Sequence, residues 1–203
     1  MNMKQKQIKI LLVIAISANI SAFSQISSGQ DFKPVSQNML NNPDPEDWLM
    51  WRGNYENWGY SPLTEINHDN VDQLRLAWSW EFSPAAPGSN GMQVEPTVYD
   101  GVIYIRHSDE KYSAHNAATG DLIWQYSRTL AVEVAGYETR LTVHRGRGVF
   151  IYEDKLISHS TDGMLFALNH RDGSLIWEVA MQDFLSGQQP SGAPVAYGGS
   201  LVV

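Results

Sequence analysis

The chain of 203 residues contains no cysteine. Disulfides cannot staple it, thiolate metal sites are excluded, and a lipid anchor at an export cleavage site, which needs a cysteine there, is not expected. Positive charge is scarce as well: 14 Lys and Arg against 22 Asp and Glu leave a net charge of −8 and a pI near 5.1. With no basic patch in the sequence, nucleic acid is excluded as a partner, because binding it takes a cationic surface that displaces counterions from phosphates. The apolar run Ile10–Ile16 is too short to span a bilayer as a permanent helix. The six histidines show no metal-ligand spacing, and Asp109-Glu110 reads as a solvated turn rather than an acid–base pair. What the chain does have is seven tryptophans with only 18% charged residues, the composition of a well-packed, β-rich protein and not of a disordered one.

In chain order, Lys4, Lys6 and Lys9, the run Ile10–Ile16, and the small residues Ala22 and Ser24 before Gln25 make residues 1–24 a secretory signal peptide, with an uncleaved anchor as the competing reading. The mature chain is then expected in a bacterial periplasm, with no stable membrane anchor. Residues 25–46, rich in Ser, Gln, Asn and Pro, read as a flexible or extended leader. At Asp47 the character changes. The aromatic-dense stretch Trp48–Pro62 follows neither helical nor strand periodicity and should be an irregular, ordered loop. Asn67–Leu74 suits a short helical turn capped by Asn67 or Asn70, and Leu74–Trp80 alternates as an outer strand should.

The organising signal is an internal repeat. Ala114–Trp124 recurs 53 residues later as Ala167–Trp177, each copy running through an Asn and a glycine, Gly120 or Gly173, into Leu-Ile-Trp. This is strand, tight turn, strand, with glycine where the turn needs a positive φ. Hairpins at Gln93–Ile105 (turn Asp100-Gly101) and Gly148–Ser158, and a third started at Pro194–Val203, complete the pattern. A period of roughly 40–55 residues of short strands is that of a β-propeller blade, a sheet that must stack on its neighbours to bury its faces. The repeated Trp then serves as a wedge between blades. About three such units fit the length, so residues 47–203 are expected to be the N-terminal part of a larger ring.

Asp47-Trp48, Tyr55, Asn57, Tyr60-Ser61-Pro62, Ile66-Asn67 and Leu76-Ala77-Trp78, followed by the two repeats, make the chain resemble the quinoprotein alcohol dehydrogenases, which use pyrroloquinoline quinone (PQQ). The resemblance implies an all-β, eight-bladed β-propeller with tryptophan-docking motifs, of which this chain would hold about the first two blades and the start of a third. It further implies oxidation of a small alcohol with PQQ and Ca²⁺ or a lanthanide, and a cytochrome c as electron acceptor. The catalytic Asp and the metal ligands would lie beyond Val203. Carried over by motif, Arg147 falls at the family's PQQ-contacting arginine and Ser191 at a threonine-type hydroxyl, while Gln93 stands where members commonly have a Glu three residues before the hairpin proline. Arg147 also reads as a solvated strand-end charge, Ser191 as a turn residue, and Glu95, directly before Pro96, as an ordinary exposed strand residue. Leu141-Thr142 replaces the adjacent cysteines of many members. A non-catalytic propeller scaffold of the cell envelope is the alternative function, against which the opening segment Trp48–Pro62 argues.

Overall fold

The computed structural model describes residues 33–81, 93–107, 110–130, 147–181 and 192–203. The expected signal peptide, residues 1–24, lies outside them. Among the described residues, ten short strands form two four-stranded antiparallel sheets and one hairpin. Strands β1 (Thr97–Tyr99), β2 (Val102–Arg106), β3 (Lys111–Asn116) and β4 (Leu122–Ser127) pair in sequence order, as do β5 (Phe150–Tyr152), β6 (Lys155–His159), β7 (Met164–Asn169) and β8 (Leu175–Ala180). The hairpin of β9 (Val195–Tyr197) and β10 (Ser200–Val202) begins a third unit. These are two blades of a propeller and the start of the next, as the repeat predicts.

Local chemistry sets the turns. Asp100 and Gly101 both have positive φ, 49° and 71°, the conformation a two-residue hairpin needs. In the repeated turns Asn116 Oδ1 accepts from the amides of Ala118 (2.9 Å) and Thr119 (3.1 Å), and Asn169 Oδ1 from Arg171 (2.9 Å). The ladders also agree, with Ala114 opposite Trp124, Ala167 opposite Trp177, and a register shift at the same place in both blades.

The repeat places Trp124 and Trp177 alike, and the structure adds Trp78 to the series. Trp78 Nε1 donates to the carbonyl of Ala117 at 2.9 Å, and Trp124 Nε1 to that of His170 at 2.8 Å, the corresponding position one blade on. A Cβ added at Gly120 would lie 2.6 Å from Trp78, and at Gly173 2.5 Å from Trp124. Each glycine is therefore needed twice over, once for its φ and once because an indole lies against it. Around this seam the buried Tyr112 and Phe166 meet edge to face at 5.2 Å, joining the cores of the two blades.

Three expectations are corrected. The leader is not loose from Lys33 onward: Val35 pairs with Glu153 through hydrogen bonds of 3.0 and 2.8 Å, and helix α1 (Gln37–Asn41) fully buries Leu40. The open edge of β5 and two apolar side chains outweigh the polar composition. Leu74–Trp80 forms no ladder, since a strand exists only by bonding to a neighbour and none of the described residues supplies one; Leu76 is 83% exposed. Within Asn67–Leu74, only Val71–Gln73 is helical, as a single 3₁₀ turn. Glu110, expected in a solvated turn, is 3% exposed and ion-paired to Arg106 at 3.2 Å. Its φ of 56° occupies the place that Gly163 (φ 74°) takes in the second blade.

Candidate functional site

The irregular loop at Trp48–Pro62 is held against the inner strands and shapes a cleft. Trp48 exchanges both backbone hydrogen bonds with Val98 of β1, at 2.8 and 2.9 Å, so the loop covers an edge that would otherwise be unpaired. Glu95 fixes it from the other side. Its Oε1 accepts from Trp48 Nε1 and, at 2.8 Å, from the amide of Arg52, while its own amide donates to the carbonyl of Arg147 at 3.3 Å. The reading of Glu95 as an ordinary exposed strand residue is thus overturned: it is half-buried and anchors the loop. Gly148 permits the approach, since a Cβ there would stand 2.7 Å from the Glu95 carbonyl oxygen.

The resulting cleft, about 260 Å³, is lined on the loop side by Trp51, Asn54 and Asn57 and on the strand side by Arg147, Gly192 and Ala193. Arg147 is exposed, and its guanidinium lies 5.2 Å from the centroid of the Trp51 ring. The loop carries two non-glycine residues in left-handed conformation, Arg52 (φ 59°) and Asn57 (φ 56°), the kind of strain that persists where surroundings impose it. Of the residues singled out from the sequence, Arg147 is at the cleft. Gln93 is exposed and does not line it, and Ser191 lies outside the described residues, although Gly192 beside it forms part of the wall. Trp51 and Asn54 carry no signal of their own in the sequence, because an irregular loop has no period from which to infer which side chains face inward.

A buried polar network joins the two blades. The Glu110 carboxylate accepts from Arg106, from the amide (3.2 Å) and hydroxyl of Thr161, and from Tyr112 at 3.3 Å. Arg128 adds a second link, gripping Asp162 through Nε and Nη2 and Glu178 at 2.7 Å through Nη1. Burial alone would raise the pKa of Asp162, but hydrogen bonds from Arg128 and Ser160 outweigh it and hold the carboxyl below its ordinary value. These contacts hold the first blade against the second. Among the described residues no group of three or more His, Asp or Glu could hold a metal ion.

A flat aromatic face, a guanidinium and two carboxamides suit a planar ligand bearing carboxylates, the guanidinium for the charge and the amides for neutral contacts. The volume falls below the roughly 300–1,000 Å³ of typical small-molecule sites, so these residues can supply one side of such a site and not its whole enclosure. The donor set therefore fits PQQ as a partial cradle.

Comparison with known proteins points the same way. Residues 48–186 match the family model described as glucose/ethanol/alcohol dehydrogenase, β-propeller domain, of the PQQ type. The dehydrogenase subunit of the quinone-dependent alcohol dehydrogenase of Gluconobacter oxydans is 31% identical over 177 residues, which cover 87% of this chain and 22% of that protein. Among solved structures, the quinohemoprotein alcohol dehydrogenase of Comamonas testosteroni superposes with a TM-score of 0.59 at 30% identity, over 77% of this chain and 22% of that one. A europium-containing methanol dehydrogenase gives 0.66 at 25% identity, over 81% and 28%. The chain spans between about a fifth and a third of the length of these relatives.

Proposed function

Because the chain belongs to the PQQ-type glucose/ethanol/alcohol dehydrogenase β-propeller family, we propose that it is the N-terminal part of a dehydrogenase that oxidises small alcohols. The single observation that carries this reading is the placement of Arg147 over Trp51 in a cleft that the opening loop builds against the inner strands. When bound, PQQ supplies the two-electron acceptor for the alcohol's hydride. The residues of this chain bind and orient: Arg147 faces a ligand carboxylate, Trp51 offers a flat apolar surface, and Asn54 and Asn57 offer neutral hydrogen bonds. Glu95 and Trp48 keep the loop in place. On the family motif Ser191 and Gln93 are two further residues that contact the quinone. Ca²⁺ or a lanthanide, with its ligands and the general base, belongs to blades beyond Val203. Export by cleavage after residue 24, a periplasmic location and electron transfer to a cytochrome c complete the proposal.

Reconstitution of the full-length protein with PQQ and either Ca²⁺ or Eu³⁺ tests it. Alcohol-dependent dye reduction that requires both additions is expected. A protein that retains no quinone under either metal would overturn the reading. Mass spectrometry of the exported protein should give an N-terminus at Gln25, and an intact Met1 in the membrane fraction would refute the export step.

A further inference from the structure

The last two residues of β6 project to opposite faces of the second blade, as successive strand residues must. Ser158 Oγ donates to the carbonyl of Gly148, beside Arg147, at 3.4 Å. His159 Nε2 bonds the carbonyl of Gly192 at 2.7 Å. Gly192 stands three residues ahead of β9 as Arg147 stands three ahead of β5, so the two hold equivalent positions on neighbouring inner strands, and both line the cleft. A carbonyl only accepts, so Nε2 carries the proton, and the bond holds whether the ring is neutral or charged.

The ring is well placed to act as a fixed point. His159 is 2% exposed, and its own carbonyl lies 3.3 Å from the hydroxyl of Tyr112, which also reaches Glu110. In the first blade the corresponding residue, Arg106 at the end of β2, turns to the Glu110 carboxylate. In the second blade Gly163 takes the place of that carboxylate, and the side chain at this ladder position reaches instead across to the next inner strand.

We propose that His159 is a positioning residue of the cofactor cleft: by holding Gly192 it sets the wall opposite Trp51 and keeps it in register with Arg147. This rests on the PQQ reading above. A wall held before the ligand arrives need not be ordered on binding, so loss of the bond should appear as weaker binding without a change in the contacts themselves. In the full-length protein, His159→Phe removes the donor and keeps an aromatic ring, and His159→Gln returns an N–H. Amide hydrogen exchange without cofactor, and PQQ affinity by equilibrium dialysis, are the two readouts. His159→Phe should speed exchange at Gly192, Ala193 and Val195 while leaving β3 and β7 protected, and should weaken PQQ binding roughly five- to tenfold, the scale of one hydrogen bond. His159→Gln should restore both. Unchanged exchange at Gly192 to Val195, or acceleration spread evenly over the second blade, would overturn the positioning role. Failure of the wild type to bind PQQ would instead overturn the functional reading, whatever the exchange result.

Discussion

Gly101, Gly120 and Gly173 share one backbone conformation, with φ of 71°, 77° and 72°, but not one environment. A Cβ at Gly101 would meet nothing within 4 Å, whereas at Gly173 it would lie 2.5 Å from Cε3 of Trp124. Alanine at these positions therefore separates the cost of the left-handed turn from the cost of the wedge between blades. At Gly101 only the turn is strained, at about 1–2 kcal/mol. At Gly173 the indole must also withdraw by roughly 1 Å to reach ordinary contact distance. Trp124 is 7% exposed and donates to the His170 carbonyl, so that withdrawal disturbs both packing and a hydrogen bond. Overpacking costs about 1–3 kcal/mol and the lost bond about 1 kcal/mol. Gly173→Ala should thus destabilise by about 2–4 kcal/mol more than Gly101→Ala, with Gly120→Ala at Trp78 showing the same kind of excess. Urea unfolding followed by tryptophan fluorescence measures the difference. If Gly173→Ala came within about 1 kcal/mol of Gly101→Ala, less than the overpacking estimate requires, the docking account of the repeat would be wrong.

Arg147→Ala in the full-length protein should weaken PQQ binding about 10- to 100-fold, the range of a charge-assisted hydrogen bond, with Tm unchanged because the side chain is exposed; unaltered quinone retention on dialysis would remove it from the site. Glu110→Gln leaves the buried Arg106 guanidinium without its counter-charge and should cost about 3–5 kcal/mol in denaturant unfolding, part of which Arg106→Met in the same protein should recover. Burial lowers the pKa of His170 to about 4 from an ordinary value of 6.5, so the unfolded chain binds the proton more readily and stability should fall as pH drops from 6.5 toward 4. His170→Ala, the residue that Ala117 supplies in the first blade, should flatten that part of the stability profile, and an unchanged slope would show that another group is responsible.

The architecture is legible in the amino-acid order alone, because its causes are local. Positive-φ turns depend on the residues that make them, and so does the run of buried residues along β3 and β7, so Asp100-Gly101, the two Asn-to-Gly turns and the Trp-ending strands can all be read from the sequence. The 53-residue repeat likewise places Trp124 and Trp177 at matching ladder positions. For Arg147 the sequence offers only likeness to a family motif, and it leaves open whether that arginine is solvated or part of a site. Tertiary structure puts it at a cleft beside Trp51, and that cleft arises where an aperiodic loop meets inner strands more than a blade away in sequence. It also makes Glu95 the anchor of that loop, buries Glu110, and orders residues 33–46. A carboxylate carries no mark in its own neighbourhood of which distant amide or guanidinium will satisfy it, and a polar leader shows no sign of the strand edge it will cover. Those partnerships exist only once the blades have been brought side by side.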